Sequence, residues 1–187
     1  MSGFQWRLSG RAHKFGHDIP HPGPVIPKHL VAGRYMDPKD LVPHLFEELR
    51  PGFHETCKPG DIIVAGRNFG MGPKMNGYIA MQALGLGLVC ESMPFLGYRA
   101  ALGVGLRVLD RCPGIHDLVE DGEEIEVDFA TGAFANRTRR IERRFNPIPE
   151  ALRELVALGG TSGFLKQWWE ANKPSGAARQ LTATDHG

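Results

Sequence analysis

A glycine-rich segment, GRNFGMGPKMNGY (residues 66–78), carries the residues of this chain whose types and spacing best suit binding of a small anion. Its glycines lack a Cβ, so the backbone can approach a ligand closely and present N–H groups to it. Lys74 either clamps a carboxylate or, when desolvated, takes a proton; the plainer alternative is an exposed loop lysine. Asn68 either orients a ligand or holds the turn through its own backbone bonds. The segment therefore predicts an anion site with Lys74 as a catalytic residue and with these substrate contacts: Asn68, Gly70, Gly72 and Asn76.

A second group of candidates lies upstream, where His13, His17 and His21 recur every four residues. On a helix this spacing would be a candidate metal site, but the prolines of HDIPHPGPVIP (residues 17–27) forbid that helix, and we predict no metal site. In an ordered loop one or two of these histidines can still converge on a cleft, where a neutral imidazole suits proton transfer near pH 7. The alternative is that at least one of them only bonds backbone. His17, His21 and Asp18, the loop's one carboxylate, complete the predicted catalytic set.

The glycine-rich segment sits between two short apolar runs, DIIVAG (61–66) and GLVCES (87–92), which predict buried strands. Apolar residues at helical spacing follow the segment, so the unit is predicted as strand, loop, helix and strand. Residues 5–16 predict a further strand that leads into a turn. MDPKDLVPHLFEELRPGF (36–53) predicts a helix with Asp37 as N-cap, leucines at helical spacing and an end at Pro51–Gly52.

The second half of the chain predicts a helix that stops near Gly103 or Gly105, a strand, and a hairpin over DGEEIEVDFATGAFAN (121–136). The basic segment NRTRRIERR (136–144) fits a solvated edge strand better than a nucleic-acid site. Two short helices broken at Gly159–Gly160 come next. The pattern predicts one α/β domain over residues 1–172 and a flexible tail over 173–187.

The amino-acid composition argues against several classes of partner and metal site. Lys and Arg number 22 against 21 Asp and Glu in 187 residues, a net charge of +1, so no general field attracts nucleic acid or an anionic membrane. Cys57, Cys90 and Cys112 are isolated from one another, which disfavours an iron–sulfur or zinc site within this chain. The start of the chain has no apolar signal-type segment, so we expect a cytoplasmic protein with neither nucleic-acid nor membrane partners.

Several sequence blocks together resemble a known family. In chain order they are GRAHKFG, VIP, DPKDLVPHLFEEL, KPGDIIVAGRNFGMG, ALGLGLVCESMPFLGYRAALGVGL, DGEEIEVD and LGGTSGFLKQ, spanning about residues 8–167. This order resembles the small subunit of 3-isopropylmalate dehydratase and its relatives in the aconitase superfamily. The resemblance implies a swivelling β/β/α three-layer domain. It also implies a separate large subunit that carries a [4Fe-4S] cluster, and reversible dehydration of a 2-hydroxy acid.

The chain departs from the family at its polar positions. After the glycine loop the family has Ser-Ser-Arg-Glu-His, of which the first serine is the implied base and the arginine the carboxylate ligand; here residues 73–77 are Pro, Lys, Met, Asn and Gly. Phe95 stands where a relative has an arginine, while Arg99 is kept as a predicted substrate ligand. Leu30 and Val31 occupy the family's substrate-selecting segment, where they either face an apolar substrate arm or only pack a turn.

Two functions follow from the resemblance and these departures. In the first, the chain is the small subunit of a divergent hydro-lyase acting on a small 2-hydroxy acid, with an alkyl-substituted malate as the favoured substrate. Isopropylmalate, citrate and homocitrate are then expected to be poor substrates. The proton is transferred by Lys74, by a histidine of the proline-rich loop or by the large subunit. In the alternative, the chain is a non-catalytic swivel domain that binds a metabolite or stabilises a partner. A nucleotide-binding flavodoxin-like domain is disfavoured because the G-x-x-x-x-G-K-S/T pattern is missing.

Overall fold

A computed structural model of the chain describes residues 3–72 and 75–173. The strands in this part of the chain are β1 Arg7–Lys14, β2 Ile62–Ala65, β3 Gly87–Cys90, β4 Arg107–Leu109, β5 Glu124–Asp128, β6 Ala133–Asn136 and β7 Ile141–Arg144. The helices are α1 Lys28–Ala32, α2 Pro38–Leu41, α3 Phe53–Thr56, α4 Asn76–Ala83, α5 Phe95–Gly103, α6 Glu150–Ala157 and α7 Gly160–Asn172.

The strands form one mixed sheet in the order β4-β3-β2-β1-β5-β6-β7. β1 to β4 are parallel, with Lys14 opposite Val64 and Val89 opposite Leu109, whereas β5 to β7 pair antiparallel. The carboxyl ends of the four parallel strands therefore meet at one edge of the sheet, which is where ligands bind in open α/β sheets.

Burial follows the predicted strand patterns. Every residue of β2 and β3 is buried, as expected of parallel strands covered on both faces. β5 alternates, with Ile125 and Val127 fully buried between more exposed glutamates. β7 lies at the open edge of the sheet with three of its four residues exposed, so the solvated edge strand predicted for residues 136–144 is present over Ile141–Arg144, while residues 137–140 form the turn before it. Its charged residues protect that edge from pairing with another chain.

The predicted helix after Asp37 is only partly present. The N-cap is confirmed, since Asp37 Oδ1 accepts a hydrogen bond from the Lys39 N–H at 2.9 Å. The α-helix ends at Leu41 and gives way to a 3₁₀ turn over Val42–His44, so the prediction of one helix up to residue 50 is wrong. Beyond the 3₁₀ turn the helix does not resume, because Leu45 is extended and Phe46 has a φ of +57°, with its N–H donating to Val25 O and its ring buried in the core.

The predicted break between the last two helices is confirmed at Gly159, whose φ is +81°. Gly160 passes so close to the end of α5 that a Cβ there would lie 2.2 Å from Gly103 O. Of the predicted tail, the structure describes only Lys173, and the single-domain boundary at residue 172 stays a prediction. Within residues 3–72 and 75–173, no helix combines the length and the hydropathy that crossing a membrane requires.

Replacing Gly87 by Ala should destabilise the fold. A Cβ at this position in β3 would lie 2.6 Å from the Phe129 ring and 3.0 Å from Leu8, and both side chains are buried. Overpacking of this kind costs about 1–3 kcal/mol in unfolding free energy. Gly103→Ala is the matched control, because its Cβ meets only Thr161 Oγ1 at 3.8 Å and a helical Ala is neutral to stabilising by at most ~1 kcal/mol. Urea unfolding measures both; equal stabilities would contradict the packing described.

Candidate active site

Two loops leave the carboxyl ends of β1 and β2 and stay paired beyond the strands. The N–H of Gly66 donates to Gly16 O at 3.1 Å, and the N–H of Asp18 donates to Arg67 O at 2.7 Å. Further along, the N–H of Gly70 donates to Ile19 O at 2.8 Å. The ladder ends at Met71, whose carbonyl accepts from the His21 N–H at 2.7 Å. The predicted proline-rich loop and the predicted glycine-rich loop are therefore joined by backbone hydrogen bonds. We call residues 16–21 and 66–71 the loop pair.

The backbone N–H groups that were predicted to bind an anion are instead hydrogen-bonded within the chain. Arg67 N donates to His17 Nδ1 and Asn68 N donates to Ser92 Oγ, at 2.9 and 3.0 Å. Phe69 N donates to Ser92 O. With Gly66 and Gly70 already bonded, the N–H groups of residues 66–70 are all occupied within the chain and are not free to bind a substrate, in contrast to the prediction.

The glycines serve close packing instead. A Cβ on Gly66 would fall 2.0 Å from His17 Nδ1, and one on Gly70 would fall 2.2 Å from the Tyr78 hydroxyl. A Cβ on Gly72 would lie 2.9 Å from Pro22. The glycine-rich composition is thus required by side chains that press onto the loop backbone.

Asp18 and Asn68 meet across the loop pair. Asn68 Nδ2 donates to Asp18 Oδ1 at 2.7 Å, and both side chains are exposed. Both residues have left-handed backbones, with φ of +54° and +55°, a conformation that Asp and Asn tolerate better than most residues. The amide holds one carboxylate oxygen of Asp18 and leaves the second oxygen to accept a proton or a hydrogen bond.

His17 stands beside this pair with its tautomer set by the backbone. Because a backbone N–H can only donate, the Arg67 N–H bond requires an unprotonated Nδ1 and places the proton of neutral His17 on Nε2. The His17 ring contacts the His116 ring, with centroids 4.5 Å apart. Partial burial and the nearby charge of Lys14 lower the pKa of His116, which favours its neutral form. His17 therefore presents an N–H donor at the sheet edge.

His21 is placed differently, since it is fully buried. Its Nε2 accepts from the Gly77 N–H at 3.1 Å, and its ring packs edge-on against Tyr78 with centroids 4.7 Å apart. Burial lowers the pKa of His21 to about 4. Whereas the sequence made His21 a proton-transfer candidate, a neutral imidazole closed off from solvent cannot touch a substrate in this conformation.

Of the remaining predicted site residues that the structure describes, some are buried in the core and one is exposed on the surface. Leu30 and Val31 lie on α1 and are buried in the core, which fits the packing alternative for that segment. Asn76 is buried and its Nδ2 donates to Tyr35 O. Arg99 lies on α5, exposed, with its guanidinium 5.6 Å from the Phe95 ring. Lys74 and Pro73 fall outside the described residues, so the predicted role of Lys74 stays a prediction.

Four polar residues at the same edge were not predicted: Arg67, Glu91, Ser92 and His116. Glu91 and Ser92 directly follow β3, and Arg67 lies within 3.9 Å of Glu91. Glu91 and Ser92 could have been found from their position directly after a predicted parallel strand, because the carboxyl ends of parallel strands meet at one edge of the sheet. For His116 no signal existed, since a turn of several residues after β4 brings it to His17.

A groove of about 890 Å³ lies between α4 and α5 and reaches the start of α7, and none of the polar edge residues described above lines it. Its lining is largely apolar and includes Met36, Met75, Ile79, Leu96 and Arg99. Among the described residues that line the groove, Arg99 is the cation, and a cation in an apolar groove suits a carboxylate that carries an alkyl group, or a protein surface.

The cysteines do not form a metal or cluster site in this part of the chain. Burial raises the pKa of Cys90 and of Cys112, and that of Cys57 is raised to about 11, so none is a ready thiolate. Among the described residues, no three His, Cys, Asp or Glu side chains are grouped so that they could hold a metal ion.

Known proteins with related sequences and structures were found. A 3-isopropylmalate dehydratase small subunit from Archaeoglobus fulgidus is 40% identical over 159 residues, covering 84% of this chain and 96% of the relative. An isopropylmalate/citramalate isomerase small subunit from Methanocaldococcus jannaschii is 33% identical over 163 residues, covering 86% of this chain and 94% of the relative. A crystal structure of 3-isopropylmalate dehydratase from that organism aligns with a TM-score of 0.77 at 29% identity, over 88% of this chain and 96% of that chain. No protein-family model matches. These likenesses confirm the predicted α/β fold.

Acid should destabilise the fold through His21. Its pKa is lowered from 6.5 to about 4, so between these values the unfolded state binds a proton that the native state does not. The free energy of unfolding therefore falls as pH falls through this window. Between pH 7 and pH 5 we expect wild type to lose about 2 kcal/mol more than His21→Gln, which does not titrate. Urea unfolding at both pH values checks this, and parallel losses in the two proteins would contradict it.

Proposed function

Because the chain belongs to the family of 3-isopropylmalate dehydratase small subunits, we propose that it is the small subunit of an aconitase-type hydro-lyase acting on a small 2-hydroxy acid. The observation that carries this proposal is 40% identity over nearly the whole length of a small subunit. The ordered polar edge formed by Asp18, Asn68, His17 and Ser92 supports a catalytic subunit rather than a swivel domain that only binds or stabilises.

We propose that Asp18 is the proton acceptor of this chain. Dehydration removes a proton from one carbon and a hydroxide from its neighbour, so a base and donors for the carboxylates are needed. The amide of Asn68 orients the Asp18 carboxylate, while His17 Nε2–H and the Ser92 hydroxyl, which already accepts from Asn68 N, can donate to substrate oxygens. A [4Fe-4S] cluster on the large subunit would supply the Lewis acid for the leaving hydroxyl. Since the cysteines of this chain are not ready thiolates, we assign the cluster wholly to that subunit.

The substrate class follows from the relatives and from the groove. The names of the two small subunits point to isopropylmalate and citramalate, both alkyl-substituted malates. The groove offers Arg99 for one carboxylate and apolar side chains such as Met75 and Leu96 for an alkyl arm. Citrate, which puts a third carboxylate in place of the alkyl group, would meet that apolar surface without a partner. The expectation that isopropylmalate is turned over poorly depends on residues 73–77 and stays a prediction.

The large subunit should dock on an apolar rim at the site edge. Five apolar side chains that line the groove or directly neighbour a lining residue in the chain are 38–66% exposed: Tyr35, Met36, Met75, Phe95 and Leu96. Exposed apolar groups clustered around a polar site are the usual mark of an interface. A partner seated there would cover the rim and the groove that it borders. The reaction is proposed for the cytoplasm.

Asp18→Asn should abolish most of the activity without unfolding the chain. Asn is isosteric, tolerates the left-handed backbone and can still accept from Asn68, but it cannot take a proton. In the complex reconstituted with its large subunit, kcat on citramalate should fall at least ~100-fold. Asp40→Asn, on the exposed surface of α2, is the control and should keep full activity. Turnover by the isolated chain, or full activity of Asp18→Asn, would contradict the assignment.

Leu96→Asp should weaken assembly with the large subunit. A charge at this rim position must be buried without a partner, so affinity measured by titration calorimetry should fall about 10-fold or more. Leu165→Asp is the matched control, since Leu165 is similarly exposed but lies on α7 with Phe164, Trp168 and Trp169. Loss of binding in Leu165→Asp with normal binding in Leu96→Asp would move the interface to α7.

A further inference from the structure

One buried residue, His21, bonds to the end of the loop pair and to the start of α4. The backbone N–H of His21 donates to Met71 O at 2.7 Å, and its imidazole Nε2 accepts from the Gly77 N–H at 3.1 Å. Met71 is the last residue of the loop pair, and Gly77 lies in the first turn of α4. The backbone carbonyl of His21 also accepts from Ile26 N at 3.1 Å, which ties the histidine to its own loop.

The imidazole is held on several sides. Gly77 approaches so closely that a Cβ there would lie 2.5 Å from Val25 Cγ1 and 3.1 Å from His21 Cε1. The Tyr78 ring packs edge-on against the imidazole, and the Tyr78 hydroxyl presses against the backbone of Gly70. His21 and Tyr78 together therefore connect α4 to the loop pair through packing as well as through hydrogen bonds.

We infer that His21 is a positioning residue, which holds the start of α4 at a fixed distance from Met71 at the end of the loop pair. This role rests on the proposed function for its catalytic consequence, although the contact itself does not. The Gly77 N–H needs an unprotonated Nε2, so the neutral imidazole is the working form. Its burial keeps it neutral at physiological pH.

The geometry of the acceptor makes the inference testable with two similar amides. Gln at position 21 can place its Oε1 near the position of Nε2, whereas the shorter Asn can reach only about the position of Nδ1. Both side chains are polar, neutral and comparable in shape. They differ in whether an acceptor reaches Gly77.

Hydrogen exchange of the Gly77 amide in the ¹⁵N-labelled chain tests the contact without substrate. We expect His21→Gln to exchange within ~3-fold of wild type, and His21→Asn to exchange at least ~10-fold faster because Gly77 loses its acceptor. Ile63 in the centre of β2 gives the internal reference, and its exchange should be unchanged in both variants. Equal Gly77 exchange in wild type and His21→Asn would overturn the inference. If His21→Asn does not fold, His21→Gln provides the test, and fast exchange of the Gly77 amide in that variant would overturn the inference.

Kinetics of the assembled complex test the consequence. His21→Asn should raise KM on citramalate at least ~10-fold with kcat within ~3-fold, since it releases the start of α4, where Met75 lines the groove, and leaves Asp18 in place. His21→Gln should restore KM. Faster Gly77 exchange with an unchanged KM would overturn the positioning role. A wild-type complex that does not turn over citramalate would instead contradict the proposed function, and the exchange comparison would still decide the role of His21.

Discussion

The candidate site depends on a parallel backbone ladder that continues past the ends of its strands. Beyond β1 and β2, four hydrogen bonds join residues 16–21 to residues 66–71. Loops at the carboxyl edge of a sheet are usually mobile because their backbone groups bond to water. Here the backbone groups bond to each other, so side chains that leave this ladder are held as firmly as those of the sheet. The backbone hydrogen bonds of the loop pair therefore determine how its polar side chains are oriented.

The same ladder constrains which residues can occupy it. To keep the two loops in step, the backbone turns through left-handed conformations at Asp18 and Asn68, where most side chains would add strain of about 1 kcal/mol. Asp and Asn suffer least, and both carry short polar groups that meet across the ladder. Backbone geometry and chemistry thus favour the same residue types at these positions. Gly66 is fixed by a different demand, which is room for the His17 ring, whereas Gly70 combines a left-handed φ of +75° with close approach of the Tyr78 hydroxyl.

The sequence was sufficient for the fold where local pattern and burial agree. β2, β3 and the β5–β6 hairpin follow from apolar runs and alternation, and α5 ends at Gly103 as its pattern indicates. The sequence-based prediction of one long helix after Asp37 is wrong. The leucines have helical spacing, but the Phe46 N–H bonds to Val25 O rather than to a helical carbonyl. In the site, residue types suggested the participants but not their partners. Nothing local shows that the N–H groups of residues 66–70 would be consumed by residues 16–19 and by Ser92.

Two histidines four residues apart illustrate why position decides chemistry. A backbone N–H occupies Nδ1 of His17 and leaves Nε2–H exposed as a donor, whereas a backbone N–H occupies Nε2 of His21 within the core. In each neutral ring the lone pair that a base would need is already used. Neither imidazole can therefore take a proton from substrate without first breaking a bond that holds the loops. Among the described residues of the loop pair, that leaves the Asp18 carboxylate, oriented by Asn68, as the group with an oxygen free to accept a proton.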